Sequence, residues 1–110
     1  MHKLNVKEKY YKLLKSGVKT IELRLFDEKR RNIKIGDCIE FFNLSNEHDK
    51  FVAVVVNLYR ADNFIELSDK IDCCKAGFFN KDELVLVLEE FYSKDRQQKY
   101  GVVGIEVVLK

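Results

Sequence analysis

Residues 17–26, Gly-Val-Lys-Thr-Ile-Glu-Leu-Arg-Leu-Phe, contain the most informative structural pattern of this chain. From Ile21 to residue 25 every second side chain is apolar and those between are polar, as in a strand with one buried face. Gly17 follows a helical pattern, and glycine tolerates the left-handed backbone that ends helices. The stretch therefore predicts a helix that ends at Gly17 and a half-buried strand over Lys19–Phe26.

The sequence on both sides of this strand predicts further short strands and helices. Apolar residues at helical spacing predict a helix over residues 7–16, and the charged run Asp27–Asn32 is typical of one helical turn. The uninterrupted apolar run from Phe51 to Val56 indicates a strand that is buried on both faces. The other segments predicted in this half are a strand at His2–Val6, a turn at Ile35–Asp37, a strand at Cys38–Asn43, a polar loop at Leu44–Lys50 and a long strand at Phe51–Ala61.

Two helix starts stand out in the second half of the chain. Asp62 or Asn63 can cap a helix that runs to about residue 71, and Asn80 with Glu83 three residues later resembles a capping box. The second of these helices should reach about residue 92. Five strands with helices outside them predict an α+β fold, mainly β with flanking helices, in which the strands form a small closed or nearly closed barrel. The remaining segments predicted here are irregular chain at 72–79, a further helical turn at 93–99 and a final strand at 101–109.

The composition fits one small domain over residues 1–110. Hydrophobic residues make up 46% of the chain, which favours a packed core over disorder. The three cysteines form no CxxC pair and the two histidines lie far from them in sequence, so we expect reduced thiols, no metal and no cofactor. No apolar run reaches the ~20 residues of a membrane helix, and no signal sequence is recognisable. These features predict a cytoplasmic protein without a membrane partner.

Charge is distributed unevenly along the chain, although the net charge is only +2. Residues 1–34 carry 11 Lys and Arg against 4 Asp and Glu, whereas residues 35–110 carry 9 against 14. This asymmetry favours an anionic partner for the first third of the chain. The alternative is a set of solvated lysines on one helix face, balanced by acidic groups elsewhere in the fold.

Gly17–Arg24 has the pattern G-x-K-x-x-E-x-R, the charged run Asp27–Arg31 follows, and Ile33–Asp37 ends in Gly-Asp. These motifs resemble the ASCH domain family. Phe91-Tyr92 and Tyr100–Glu106 resemble the end of the same family, so the similarity covers nearly the whole chain and points to the small stand-alone bacterial and archaeal type. The resemblance implies a PUA-like fold, a small mixed β-barrel of five to six strands with helices at its rim, and a cleft beside the motif strand.

Three polar residues of the motif, Lys19, Glu22 and Arg24, are the main candidates for ligand binding. Glu22 and Arg24 share one face of a strand, with Cα atoms ~6.6 Å apart. Arginine supplies a planar fork for phosphate or carboxylate, and a glutamate can accept hydrogen bonds from an amine or imino group of a base. If burial raised its pKa, Glu22 could also act as a general base. The alternative interpretation is a structural salt bridge on the strand face.

A second candidate patch follows the motif strand. Adjacent arginines on a turn often hold a phosphate backbone, which makes Lys29, Arg30 and Arg31 candidates for RNA contact. A solvated charged turn is the alternative. Aromatic side chains can add base stacking, and we include Tyr100 among the binding residues for that reason. The other aromatic candidates are Tyr59, Phe64 and Tyr92.

The resemblance implies a protein that binds RNA or a nucleotide-like small molecule, which is the leading interpretation. One branch of the family is an amidohydrolase that removes the acetyl group from acetylcytidine, using a lysine, a threonine three residues later and a later glutamate. Lys19 matches the lysine, but Glu22 stands at the threonine position and residues 74–77 contain no glutamate. A hydrolase that uses Lys19 and Glu22 in the same cleft stays open as a second function. A third is a protein-interaction domain in which the acidic second half contacts a partner protein.

Overall fold

One curled sheet of five strands lies at the centre of the molecule, which the computed structural model describes over residues 1–110. In chain order the elements are β1 (His2–Val6), α1 (Glu8–Ser16), β2 (Ile21–Leu25), α2 (Glu28–Arg31), β3 (Cys38–Asn43), β4 (Asn46–Ala61), α3 (Phe64–Lys70), α4 (Lys81–Phe91), α5 (Lys94–Tyr100) and β5 (Val102–Leu109). The strand order is β1-β3-β4-β5-β2, in which β1 and β3 are parallel and the other neighbours are antiparallel. The predicted α+β fold with a mixed five-stranded sheet is confirmed, and the sheet forms a half-barrel.

The two faces of β2 are covered by different parts of the molecule. Ile21, Leu23 and Leu25 pack with helices α3 and α4 in one apolar cluster outside the curl of the sheet. Glu22 and Arg24 alternate with them and point to the concave face, where their partners on β5 belong to a second cluster that also contains residues of α1. The predicted strand is present over Ile21–Leu25, but its predicted half-burial is wrong: the strand is enclosed on both faces, because Glu22 is buried and Arg24 is largely buried within the curl of the sheet.

An open seam separates the two edge strands of the sheet, β1 and β2. The backbones of these strands do not pair across the seam. Instead, the guanidinium of Arg24 donates a hydrogen bond through Nη2 to the backbone carbonyl of Asn5. A charged side chain thus spans the gap that a strand pair would fill in a closed barrel, and the motif strand borders this gap along its length.

Most helices begin at a residue whose side chain caps them. Asp27, Asn63, Asn80 and Ser93 each accept a hydrogen bond from the backbone N–H three residues further along. Gly17 ends α1 with a φ of 83°, in the left-handed region. The helix ends predicted at Gly17, Asn63 and Asn80 are therefore confirmed. No helix has both the length and the apolar character that a membrane span requires.

The predicted polar loop over Leu44–Lys50 is wrong. β4 already begins at Asn46, so the connection from β3 is a turn of two residues. The side chain of Asn43 accepts a hydrogen bond from the backbone N–H of Ser45, 2.9 Å away, and tightens this turn. The segment is polar because it is an exposed two-stranded ribbon, in which polar side chains are as compatible with a strand as with a loop.

The predicted burial of both faces over Phe51–Val56 is also wrong. Ala53 and Val55 are buried, but Val56 is 42% exposed. Tyr59 and residue 61, further along β4, pack with the outer cluster, so the helices cover only the later part of this strand. The middle of β4 therefore follows the alternating pattern of a half-exposed antiparallel strand in spite of its continuous apolar sequence.

Candidate functional site

Lys19, Glu22 and Arg24 form a buried triad of charged side chains. The Glu22 carboxylate lies between the two cations: Oε1 is 3.2 Å from Lys19 Nζ, and Oε2 is 2.8 Å from both Nε and Nη2 of Arg24. Only 3%, 7% and 12% of the three side chains, in chain order, is exposed. The structure thus brings together the three motif residues as one unit with a formal charge of +1.

The segment between α3 and α4 holds the lysine of the triad in place. Lys19 Nζ donates a hydrogen bond to the backbone carbonyl of Ala76, 2.8 Å away, and lies 5.2 Å from the centroid of the Tyr10 ring. Gly77 adopts a φ of 93°, and a Cβ atom at this position would lie 3.3 Å from Cδ of Lys19. Backbone conformation and space both favour glycine there, because the buried lysine passes directly over it.

Electrostatics keep the glutamate of the triad ionised. Burial alone would raise the pKa of Glu22, but the adjacent charges of Lys19 and Arg24 outweigh burial and hold that pKa below its ordinary value. Burial acts in the opposite sense on Lys19 and lowers the pKa of its ammonium group, while Glu22 opposes this shift. At neutral pH the site therefore presents a carboxylate with lone pairs to spare, which is a good hydrogen-bond acceptor and a weak base.

The triad, together with Lys7, forms the charged part of the lining of a cavity at the seam between β1 and β2. The cavity has a volume of about 170 Å³ and its other walls are mostly apolar. Tyr10 and Phe78, whose ring centroids are 5.6 Å apart, form part of the wall, and Lys7 Nζ lies 4.2 Å from the centroid of Phe91 at the same cavity. The residues that line it are Asn5, Val6, Lys7, Tyr10, Lys19, Glu22, Leu23, Arg24, Leu44, Phe78, Leu88, Phe91 and Tyr92.

The other four residues predicted to bind ligand lie outside this cavity. Arg30 is paired with Asp27, with Nη1 3.0 Å from Oδ2. Arg31 is exposed and lies over the ring of Phe26. The remaining two residues border separate depressions on the surface. Lys29 lies in one of them and Tyr100 in the other. Tyr100 also packs against the outer apolar cluster.

Sequence patterns did not reveal most of the aromatic wall. Tyr10 is one of the residues at helical spacing in α1, a pattern that predicts a helix and does not single out a binding residue, and Phe78 falls in a segment without periodicity. Tyr92 was among the stacking candidates and does line the cavity. The one local indication in the sequence is Gly77, which precedes Phe78 in a chain with just five glycines. A glycine is typical of a position where a side chain passes close to the backbone, as Lys19 does here.

A curled five-stranded half-barrel flanked by helices is the architecture of a PUA-like domain. The sequence profile of the ASCH domain matches residues 4–110. The chain belongs to the ASCH domain family, whose members are in general RNA-binding domains.

Two solved structures are similar to the chain over nearly its whole length. The crystal structure of hypothetical protein PH0355 is 35% identical, with 98% of this chain and 97% of that chain covered and a TM-score of 0.85. The solution NMR structure of protein PF0455 from Pyrococcus furiosus is 32% identical, with 98% and 96% covered and a TM-score of 0.75. No protein of curated function matches the chain.

Proposed function

We propose that this ASCH domain binds single-stranded RNA or a nucleotide by taking one base into the cavity at the seam. The observation that carries the proposal is the Lys19–Glu22–Arg24 triad, a buried set of hydrogen-bonding charges that lines an aromatic-walled cavity. Burying three charges is costly unless they are well paired. A mostly apolar pocket with a few convergent polar groups is the usual form of a small-molecule site.

The size of the cavity limits what can enter it. A cavity of ~150 Å³ accommodates a benzene molecule, so a volume of about 170 Å³ suits one six-membered ring and not a whole nucleotide. The sugar and the phosphates of a bound nucleotide would then lie outside the cavity. Single-stranded RNA fits this requirement, because its unstacked bases can be splayed out and placed against aromatic side chains.

The chemistry of the triad matches the edge of a base. Glu22 can accept a hydrogen bond from an exocyclic amine or an imino N–H. Lys19 and Arg24 can donate to a carbonyl oxygen beside it. The rings of Tyr10, Phe78 and Tyr92 line the same cavity and supply apolar or stacking contact for the face of the base.

The ionisation of Glu22 favours binding over hydrolysis. Its pKa is held below the ordinary value, whereas a general base that works near neutral pH needs a raised one. A hydrolase that uses Lys19 and Glu22 would show itself by turnover. Incubation with modified nucleosides and short RNAs, followed by mass spectrometry, tests for it: unchanged substrates are expected, and a product that E22Q protein does not form would establish the hydrolase instead.

A pair of matched tryptophan variants tests the cavity as the binding site. Leu44 is 60% exposed and lines the cavity, whereas Leu86 is 65% exposed on α4 and does not line it. Leu44→Trp should obstruct the cavity without disturbing the core. Because stacking of one base contributes ~1–3 kcal/mol, affinity for a labelled single-stranded RNA should fall about tenfold. Leu86→Trp should bind like the unmodified protein; equal affinity in both variants would exclude the cavity as the site.

A further inference from the structure

Two arginines from different elements lie on the same aromatic ring at one end of the half-barrel. The guanidinium carbon of Arg31, on α2, is 4.9 Å from the ring centroid of Phe26, and that of Arg60, near the end of β4, is 3.8 Å from it. Together these distances place the two guanidinium carbons at most about 9 Å apart. Two positive charges, from elements that are far apart in sequence, are therefore held close to each other.

Neither of these guanidinium groups has an acidic partner in the chain. The side chains of Arg31 and Arg60 take part in no salt bridge and in none of the side-chain hydrogen bonds of the molecule, whereas Arg30, next to Arg31 in sequence, is paired with Asp27. Lys70 adds further positive charge, because its Nζ donates to the backbone carbonyl of Arg60, 2.8 Å away. A guanidinium stacked on a ring keeps its in-plane N–H donors free for a planar acceptor such as phosphate.

The arginine pair lies just beyond the end of β2, near Arg24 along the strand, and outside the cavity itself. Phe26 is two residues beyond Arg24 in sequence. It packs against the apolar cluster on the concave face of the sheet, which also contains Val103, the partner of Arg24 on β5. The N–H of Phe26 donates to the carbonyl of Gly101, 2.9 Å away, which continues the pairing of β2 with β5. In a strand, residues such as Arg24 and Phe26 lie ~6.6 Å apart on one face. A ligand whose base reaches Arg24 inside the cavity would therefore extend its backbone toward Arg31 and Arg60.

We propose that Arg31 and Arg60, held on the ring of Phe26, form a clamp for one phosphate group of the RNA or nucleotide whose base occupies the cavity. This inference rests on the proposed function for the identity of the ligand, but the anion site itself depends only on the two arginines. The clamp explains why two like charges are held together without a carboxylate between them: a phosphate oxygen pair can accept from both forks and neutralise them.

The salt dependence of RNA binding tests the clamp. Each phosphate contact to single-stranded RNA contributes ~0.7 to the slope of log affinity against log salt concentration. In the R31Q/R60Q variant the slope should become shallower by about 0.7, with lower affinity at low salt. Both residues are exposed, so folding should be unaffected. The control is K12Q/K81Q, which removes the same charge from two exposed lysines elsewhere; R31K/R60K, which keeps the charge and loses the planar fork, should fall between the two.

Different outcomes separate this inference from the proposed function. A slope in R31Q/R60Q equal to that of K12Q/K81Q overturns the clamp, even if Leu44→Trp still weakens RNA binding. If the unmodified protein binds neither RNA nor a nucleotide, the proposed function fails, and titration with inorganic phosphate decides the clamp by itself. Saturable NMR shifts of the side-chain Nε–H signals of Arg31 and Arg60 would then support an anion site, and unmoved signals would overturn it.

Discussion

Glu22 is the residue whose environment determines both the stability and the chemistry of the site. It is buried between Lys19 and Arg24, and it is the carboxylate that bonds to both of them. Removing one member of a buried ion pair lowers the stability of the fold by much more than the intact pair contributes to it. The reason is that the remaining charges stay in a poorly solvated environment. The triad is a buried salt bridge that also lines the cavity, so the two interpretations open at the level of sequence, a salt bridge and a binding site, do not exclude each other.

The substitution Glu22→Gln keeps the shape of the side chain and removes its charge. We expect it to lower the free energy of unfolding by ~3–5 kcal/mol, because Lys19 and Arg24 lose their only carboxylate partner. Urea unfolding measures the loss. Glu47→Gln, at an exposed position, is the control and should stay within ~0.5 kcal/mol of the unmodified protein. A loss as small in E22Q as in the control would mean that the triad is solvated.

The difference in stability between the unmodified protein and E22Q should depend on pH. The folded-state pKa of Glu22 lies below its unfolded value of ~4.3, so the ionised carboxylate stabilises the fold above that pH. This contribution is lost as the pH falls through the folded-state pKa, since a protonated Glu22 no longer compensates the two cations. Urea unfolding between pH 7 and pH 3 should show the gap narrowing below about pH 4. A gap of constant size would contradict this origin of the stability.

At the level of the elements, β2 and the segment after α3 cooperate to build the site. The backbone N–H groups of Thr20 and Ile21 both donate to the carbonyl of Lys75, at 2.8 and 3.1 Å. This contact places the irregular segment 72–79 against the start of the motif strand, where Ala76 and its neighbours enclose the lysine of the triad. A segment that has no secondary structure of its own therefore positions one wall of the cavity.

The tight passage of Lys19 over Gly77 can be tested with a second glycine as the control. Gly36 and Gly77 have similar φ values, 95° and 93°, but a Cβ at Gly36 meets nothing within 4 Å, whereas at Gly77 it meets Lys19. Gly36→Ala should cost about 1–2 kcal/mol from backbone strain alone. Gly77→Ala should cost more, because the lysine must also shift, and should weaken RNA binding. Equal losses of unfolding free energy in the two variants, measured by urea unfolding, would show that the Lys19 side chain moves aside without an energetic cost.

Local sequence signals predicted the elements well wherever one residue fixes a boundary. Caps such as Asn63 and Asn80, and the helix stop at Gly17, depend on the chemistry of single side chains and backbones. The start of β4 at Asn46 was missed, because a polar exposed strand and a polar loop have the same composition. The grouping of Lys19, Glu22 and Arg24 followed from strand periodicity and from the family motif, whereas Phe78 reaches the cavity only through tertiary contacts that no periodicity encodes.

At the scale of the whole molecule, ion pairs neutralise part of the positive charge of residues 1–34. Of the lysines in α1, Lys15 is paired with Asp49 at 2.8 Å, and Lys12 lies 3.9 Å from Glu8, so the basic first third is partly neutralised. Arg60, from the acidic remainder of the chain, joins Arg31 on the ring of Phe26. The proposed anion site is therefore assembled by the curl of the sheet from distant parts of the sequence.

NMR titration of the isotopically labelled protein with a short single-stranded RNA is the most direct test of base binding in the seam cavity. The largest changes in backbone amide shifts should occur at the cavity, at Lys19, Glu22, Arg24 and Phe78, and Leu44→Trp should suppress them. Smaller changes should extend to Arg31 and Arg60. Shifts confined to the exposed lysines of α1, with the cavity amides unmoved at saturation, would contradict the claim and reduce RNA binding to attraction by surface charge.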